Sequence, residues 1–186
     1  GNTVVIKPSS FPPVATTRMV ELANQVLPAG VLNIVTGEGG VGSALTKHPG
    51  VSKIVFTGSP PTGRRIMEAF AANLKRLTLE LGGNDAGIVL PDVNVKEIAS
   101  KLFGVSFHNN GQTCAALKRL YVHEDIHDEL AQEIAQIAKE TIVGNGLNEG
   151  TQLGPVQNAD QLKVVEDLAA SVEAQGGTIV AGGNKI

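Results

Sequence analysis

The chain has 186 residues, of which 42% are apolar and 18% charged, and its formal net charge is −3. This length allows one or two modest domains, and the 15 basic residues form no cluster of the kind that nucleic-acid binding needs. The single cysteine excludes an internal disulfide, and no apolar run approaches the roughly 20 residues of a membrane helix. We therefore expect a cytoplasmic protein that binds neither nucleic acid nor membrane.

The first part of the chain predicts two strand-helix-strand units. Residues 4–6 are β-branched and predict a strand, and the next segment has an apolar helical face. That face consists of Met19, Leu22, Ala23 and Val26. A turn then leads to a strand over residues 31–35, a glycine cluster over 37–42 and a strand over 54–56.

A helix is predicted to begin after Ser59. A serine oxygen can accept an unpaired backbone N–H, and Pro60 has no N–H to leave unpaired at the first helical position. This helix runs to about Asn73 and is followed by a strand over residues 77–81. In that strand Glu80 lies on the face opposite Leu79 and Leu81.

The Gly82-Gly83 pair ends this strand and is the best candidate for a boundary between two lobes. Beyond it, strands are predicted over 87–90, 120–122 and 178–181. Three helices are predicted. The first begins at Asn94 and Glu97, which have capping-box spacing, and ends near Asn109. The second is capped by Asp125. The apolar stripes of the other two are Leu130, Ile134, Ile137 and Ala138, and then Leu162, Val165, Ala169 and Val172. This alternation predicts an α/β fold with parallel sheets and helices on both faces.

Two strand-to-helix turns are candidate phosphate sites. Gly37, Gly39 and Gly42 have the G-x-G-x-x-G spacing, although a simple glycine turn explains them at least as well. The second turn contains Gly58 and Ser59, where the unpaired amides of the helix start can hold an anion, although capping alone also explains the serine.

Residues 123–127 read HEDIH and match the zinc-protease pattern H-E-x-x-H. That pattern binds zinc only when both histidines lie one turn apart on a single helix. Because His123 is expected at the end of a strand, outside the helix that contains His127, we predict no metal site.

Cys114 and Glu80 are the candidate catalytic residues. Cys114 follows a polar turn, residues 109–113, that can hydrogen-bond a thiolate, although a lone cysteine is often an inert apolar residue. Glu80, next to two glycines, can act as a general base or be a solvent-facing strand residue.

Five segments together resemble the NAD(P)-dependent aldehyde dehydrogenase superfamily. They are GNTVVIKPS, FTGS with the later Gly63, LELGGN, GQTC with Arg119 beyond it, and LGP near Gly154. The resemblance extends along essentially the whole chain, and it implies oxidation of an aldehyde to a carboxylic acid.

The resemblance implies that Cys114 is the nucleophile and that its backbone N–H is one oxyanion donor. Glu80 is then the base that activates water to hydrolyse a thioester, which favours the hydrolytic branch of the family over the coenzyme-A-acylating branch.

The resemblance also implies a set of cofactor contacts. Lys7 is expected at the adenosine ribose, and Leu81 is expected to contact the nicotinamide amide through its backbone. The pyrophosphate-binding turn is expected at Gly58, Ser59 and Gly63. Many NAD-preferring members carry Glu where this chain has Ser10, so NAD is the expected cofactor and NADP stays open.

On this resemblance, the chain is the middle of a longer enzyme. Residues 1–81 would be the C-terminal part of a Rossmann-like NAD(P)-binding domain, and residues 82–186 the N-terminal part of an α/β catalytic domain. The parent enzyme is expected to be a homo-dimer or homo-tetramer, and the isolated chain weakly active or inactive.

Two alternatives stay open. One is a cysteine hydrolase in which a histidine such as His108 activates Cys114 and Gln112 helps to hold an oxyanion. The other is a non-catalytic fragment that binds a cofactor or has a purely structural role.

Overall fold

A computed structural model describes residues 1–71 and 74–185 of the chain. The chain divides into two compact units, Gly1–Leu81 and Gly82–Ile186. None of the helices in the described ranges has the length and apolar character that crossing a membrane requires. The assignment of the two units to a cofactor domain and a catalytic domain stays a prediction.

The first unit contains two pairs of parallel strands. Its elements are β1 (Val4–Ile6), α1 (Pro13–Ala23), β2 (Leu32–Ile34), α2 (Gly39–Lys47), β3 (Lys53–Gly58), α3 (Pro60–Ala71) and β4 (Arg76–Leu81). Strand β1 pairs with β2 and β3 pairs with β4, so a helix connects the two strands of each pair. The predicted α/β class with parallel strands is confirmed.

The second unit contains one parallel pair, β5 with β6, and a cluster of buried apolar residues. Its elements are β5 (Asp85–Val89), α4 (Val95–Ser106), a 3-10 turn (His108–Gly111), β6 (Leu117–Val122), α5 (Glu124–Glu140), α6 (Ala159–Ser171) and a second 3-10 turn (Glu173–Gln175). The buried residues of that cluster are Val89, Val95, Ala99, Leu102 and Leu130. They hold α4 and α5 against the β5–β6 pair, because burial of apolar surface stabilises such contacts.

Helix α1 differs from its predicted form. It ends at Ala23, and Val26 lies beyond it with 84% of its surface exposed. Val20 is the buried residue of this helix, whereas the predicted core residues Met19 and Leu22 are half exposed. The predicted end of the third helix, Asn73, lies outside the described residues.

Two predictions in the second unit are wrong. His123, and not Asp125, caps α5, because His123 keeps a non-helical backbone and its Nδ1 accepts the Asp125 N–H at 3.3 Å. Residues 178–181 form no strand within the described part of the chain. A strand is stable only when a neighbour takes up its backbone hydrogen bonds, and Ile179 and Val180 stay exposed.

Helix α4 begins as predicted, with the Asn94 side chain accepting the Glu97 N–H at 3.2 Å. The Glu97 carboxylate bonds to Lys101 Nζ at 2.6 Å, one turn further along the helix. This hydrogen bond and the charge of Lys101 hold the pKa of Glu97 below its ordinary value. The pair lies on the exposed face of α4, where solvent and salt screen it.

Two glycines in open space predict opposite effects of an alanine substitution. Gly104 lies inside α4, so Gly104→Ala should stabilise that helix by about 0.5–1 kcal/mol. Gly176 has an equally free Cβ position but a φ of +81°, so Gly176→Ala should destabilise its turn by about 1 kcal/mol. Hydrogen exchange of the neighbouring amides measures both changes. If both substitutions stabilised the protein, or both destabilised it, the argument from backbone conformation would be contradicted.

Candidate active site

Cys114 lies in a turn between the 3-10 segment and β6, with its side chain exposed to solvent. Its backbone is closely packed on one side. A Cβ added at Gly83 would overlap the carbonyl oxygen of Cys114 and lie 2.8 Å from an Asp85 oxygen. Gly83 therefore allows the chain before β5 to lie directly against the cysteine turn.

The turn before Cys114 has a left-handed backbone. Asn109, Asn110 and Gly111 have φ values of 51°, 59° and 73°. Asparagine and glycine adopt this region at low cost, whereas most other residues do not. The two asparagines and the glycine of the NNGQ segment are thus needed to turn the chain toward Cys114.

Two side chains tie this turn to residues 154–157. Asn110 Oδ1 accepts the Gly154 N–H and its Nδ2 donates to the Pro155 carbonyl, both at 3.0 Å. Gln112 Oε1 accepts the Gln157 N–H at 2.9 Å. We call these three bonds the Asn110–Gln112 clamp. The first segment carries the motif NNGQ and the second overlaps the motif LGP. Sequence periodicity did not predict that the two segments are in contact.

The carbonyl of Thr113, directly before the cysteine, is doubly hydrogen-bonded. It accepts the Ala116 N–H at 3.1 Å and Lys118 Nζ at 2.9 Å. Lys118 was not a candidate from the sequence. At the same turn the His108 carbonyl accepts the Thr113 hydroxyl at 3.3 Å.

Glu80 is the second-last residue of β4 and belongs to the first unit. It is exposed and pairs in register with Thr57 of β3. Leu79 and Leu81 face α3, since a Cβ at Gly63 would contact both side chains. The alternation predicted for this strand is therefore confirmed, and Glu80 lies on the face away from α3.

Lys7 and Ser10 both bind the turn after β2. Lys7 Nζ donates to the carbonyls of Pro8 and Gly37 at 2.7 and 2.8 Å, and the Ser10 hydroxyl donates to the Gly37 carbonyl at 3.2 Å. An ammonium group has three donors, so one N–H of Lys7 stays available for a ligand. Lys7 and Ser10 were predicted from the sequence as ligand contacts. Their shared hydrogen bonds to the Gly37 carbonyl were not predicted.

The start of α3 lies directly after β3. Gly58 ends the strand, and the Ser59 carbonyl accepts the Gly63 N–H at 3.0 Å, while the Ser59 hydroxyl donates to Thr62 Oγ1 at 3.1 Å. The predicted helix start is correct. The Ser59 side chain was expected to accept a backbone N–H, and it bonds instead to the Thr62 hydroxyl. Pro60 supplies no N–H at this helix start.

The donors in the first unit fit a phosphorylated ligand that also carries ribose hydroxyls. Lys7 has a free cationic donor, Ser59 lies at the positive end of a helix dipole, and a side chain at position 63 would collide with Leu81 at 2.9 Å. The residues of this chain are thus chemically compatible with a dinucleotide such as NAD or NADP.

The histidines of the HEDIH segment do not share a helix. His123 caps α5 from outside, and His127 Nδ1 lies 2.8 Å from Asp128 Oδ1 within it. In the ranges that the structure describes, no three His, Cys, Asp or Glu side chains group closely enough to hold a metal ion.

The parallel α/β fold and the polar groups after its strands are compatible with a nicotinamide-dependent oxidoreductase. The sequence model of the aldehyde dehydrogenase family matches residues 1–186. The chain belongs to the aldehyde dehydrogenase family.

Relatives of known name agree with this membership. The chain is 42% identical to phenylacetaldehyde dehydrogenase of Pseudomonas fluorescens, covering 100% of this chain and 37% of that protein. It is 38% identical to the NADP(+) succinate-semialdehyde dehydrogenase GabD of Escherichia coli, covering 98% and 38% of the two chains. PnpE of Pseudomonas sp. WBC-3, crystallised with nicotinamide adenine dinucleotide, is 42% identical with a TM-score of 0.96, over 100% of this chain and 39% of PnpE. The chain thus spans less than two fifths of the length of these relatives.

The Asn110–Gln112 clamp predicts a local effect of removing one side chain. Asn110→Gly keeps the left-handed backbone and removes two of the three bonds, so exchange of the Gly154 amide should accelerate about three- to tenfold. Hydrogen exchange by mass spectrometry on the peptide containing residues 154–157 measures this change.

Asn110→Ala is the matched comparison. It removes the same two bonds and adds the strain of an alanine at φ 59°, so its exchange should be faster still. Unchanged exchange in both variants would show that the clamp does not hold residues 154–157.

Proposed function

We propose that the complete protein oxidises an aldehyde to a carboxylic acid with NAD or NADP, using Cys114 as the nucleophile and Glu80 as the base. The observation that carries this proposal is an exposed thiol beside a doubly hydrogen-bonded Thr113 carbonyl and a closely packed Gly83, in a chain that belongs to the aldehyde dehydrogenase family throughout. Exposure lets the thiol reach a carbonyl carbon, and the fixed backbone limits the entropy lost in the attack.

In the first half-reaction the Cys114 thiolate attacks the aldehyde carbon. The S–C bond forms, the carbonyl π electrons move to oxygen, and the Cys114 N–H donates a hydrogen bond to that oxyanion. A nicotinamide cofactor held by the first unit would supply the acceptor for the hydride that leaves this carbon. The oxygen then re-forms its double bond and Cys114 carries the acyl group as a thioester.

In the second half-reaction Glu80 takes a proton from water while the water oxygen attacks the thioester carbon. The same Cys114 N–H stabilises the second oxyanion, which collapses and expels the thiolate. The products are a carboxylic acid and free Cys114. The exposed position of Glu80 at the end of β4 is compatible with contact to a water molecule.

The cofactor is held, in this proposal, by residues of the first unit. Lys7 would donate its third N–H to the adenosine ribose, and the turn at Gly58 and Ser59 would hold the pyrophosphate near the start of α3. Leu81 would offer its backbone to the nicotinamide amide. Ser10 is uncharged and does not repel a 2′-phosphate, so both NAD and NADP are compatible with this site.

We infer from the family resemblance that the whole protein is a homo-dimer or homo-tetramer that acts on a small-molecule aldehyde. We also expect it in the cytoplasm.

Glu80→Gln separates the two half-reactions. In the full-length protein, the first turnover of NAD(P)H formation should persist, while steady-state turnover falls about 10²- to 10⁴-fold because the general base is lost. Mass spectrometry of quenched enzyme should then show an acyl group on Cys114. Glu68→Gln, a change at an exposed carboxylate of α3 in the same unit, should stay close to wild type.

Cys114→Ser completes the test. It should abolish both the first turnover and the acyl adduct. Aldehyde oxidation that survives this substitution contradicts the proposal, and ester hydrolysis indifferent to NAD(P) would support a cysteine hydrolase.

The isolated 186 residues should be weakly active or inactive, because they span 37–39% of the named relatives. Aldehyde-dependent formation of NADH by the purified chain, compared with the full-length protein at equal concentration, measures this. Comparable rates would overturn the expectation. Calorimetry with NAD on the same sample distinguishes a binding fragment from one that has only a structural role.

A further inference from the structure

Lys118 is the second residue of β6 and reaches back to the turn that carries Cys114. Its Nζ donates to the Thr113 carbonyl at 2.9 Å, and the Ala116 N–H donates to the same oxygen at 3.1 Å. A carbonyl oxygen has two lone pairs, so these two donors occupy both. The orientation of the peptide group between Thr113 and Cys114 is thereby set from one side.

This peptide group is trans, as no cis bond occurs among the described residues. In a trans peptide the N–H points away from the C=O, and the whole group is planar. The bonds to the Thr113 carbonyl therefore also fix the direction of the Cys114 N–H. That N–H is the group that the proposed function assigns to the developing oxyanion.

The donor at Lys118 is charged, which adds a second effect. A charge-assisted hydrogen bond is stronger than a neutral one, and it draws electron density toward the carbonyl oxygen. The N–H at the other end of the same peptide group becomes more positive, because hydrogen bonds in a chain polarise one another. A more positive N–H is a better donor to an oxyanion.

We propose that Lys118 is a positioning residue that orients and polarises the Cys114 N–H for both oxyanions of the reaction. The proposal rests on the proposed function, since it needs Cys114 to form a tetrahedral adduct. Lys118 acts through the peptide group. It should therefore change the rate of the reaction more than the binding of either substrate.

The test compares Lys118→Met with Lys118→Arg in the full-length protein. Methionine keeps an unbranched side chain without the charge, so the first-turnover rate should fall about tenfold, a fraction of the 10²- to 10³-fold that loss of an oxyanion donor causes. The KM values for aldehyde and for NAD should stay within about twofold of wild type, because the N–H acts on the oxyanion and not on the ground state. Lys118→Arg, which restores a cationic donor, should recover most of the rate.

Alkylation of Cys114 by iodoacetamide separates this effect from a general disturbance of the loop. Alkylation needs the thiolate but develops no carbonyl oxyanion, so Lys118→Met should react at about the wild-type rate. Lys101→Met removes a lysine of α4 that bonds to Glu97, and both of its rates should match wild type.

Each outcome has a distinct meaning. A wild-type first-turnover rate in Lys118→Met overturns the role of Lys118. A parallel loss of alkylation and turnover that arginine does not rescue overturns it as well, since the lysine would then only stabilise the loop. Absence of an acyl adduct on Cys114 in Glu80→Gln overturns the proposed function itself and is seen independently of the Lys118 variants.

Discussion

Parallel strand pairing decides where the candidate residues lie. A parallel pair cannot be joined by a tight turn, so each pair needs a crossover, and the carboxyl ends of its two strands meet at one edge. In the first unit Lys7 follows β1, Gly37 comes after β2, and Glu80 lies at the end of β4. Ligand contacts at the carboxyl ends of strands are general in parallel α/β folds. The second unit differs, because Cys114 and Gly83 precede their strands and lie at the amino end of the β5–β6 pair.

Lysine ammonium groups hold several irregular segments of this chain in place. Lys7 joins Pro8 to Gly37, and Lys75 donates to the carbonyls of Thr46 and His48 at the end of α2. Lys118 does the same for the turn before the cysteine. Carbonyl groups in turns and at helix ends often lack a full set of partners, and a flexible cation with three donors can satisfy them. Lys7 and Lys75 do this for residues 27 to 30 positions away, and Lys118 for a residue five positions away. Lys7 keeps one N–H donor for a ligand. The bond from Lys118 to the Thr113 carbonyl instead acts on the Cys114 N–H, through the peptide group that joins the two residues.

Several features that depend on neighbouring residues were predicted correctly. The start of α3 at Pro60, the cap at Asn94 and the alternation around Glu80 are local properties, and the structure has them. The Asn110–Gly154 bond joins residues 44 positions apart, and no periodicity indicates such a pairing. The wrong expectation of a strand over 178–181 has a related cause, since an apolar β-branched run indicates a strand only if a neighbouring strand is available to pair with it.

Nucleophilic catalysis by a thiol makes two opposed demands on this loop. The sulfur must reach an incoming carbonyl carbon, yet the backbone N–H beside it must already point to where negative charge will develop, since reorientation during the reaction would cost free energy. The structure separates the two demands between side chain and backbone. The Cys114 side chain is exposed, while Gly83 packs against its carbonyl and Lys118 holds the carbonyl before it. A substitution that loosens the backbone without touching the sulfur should therefore slow carbonyl chemistry and leave simple alkylation of the thiol unchanged.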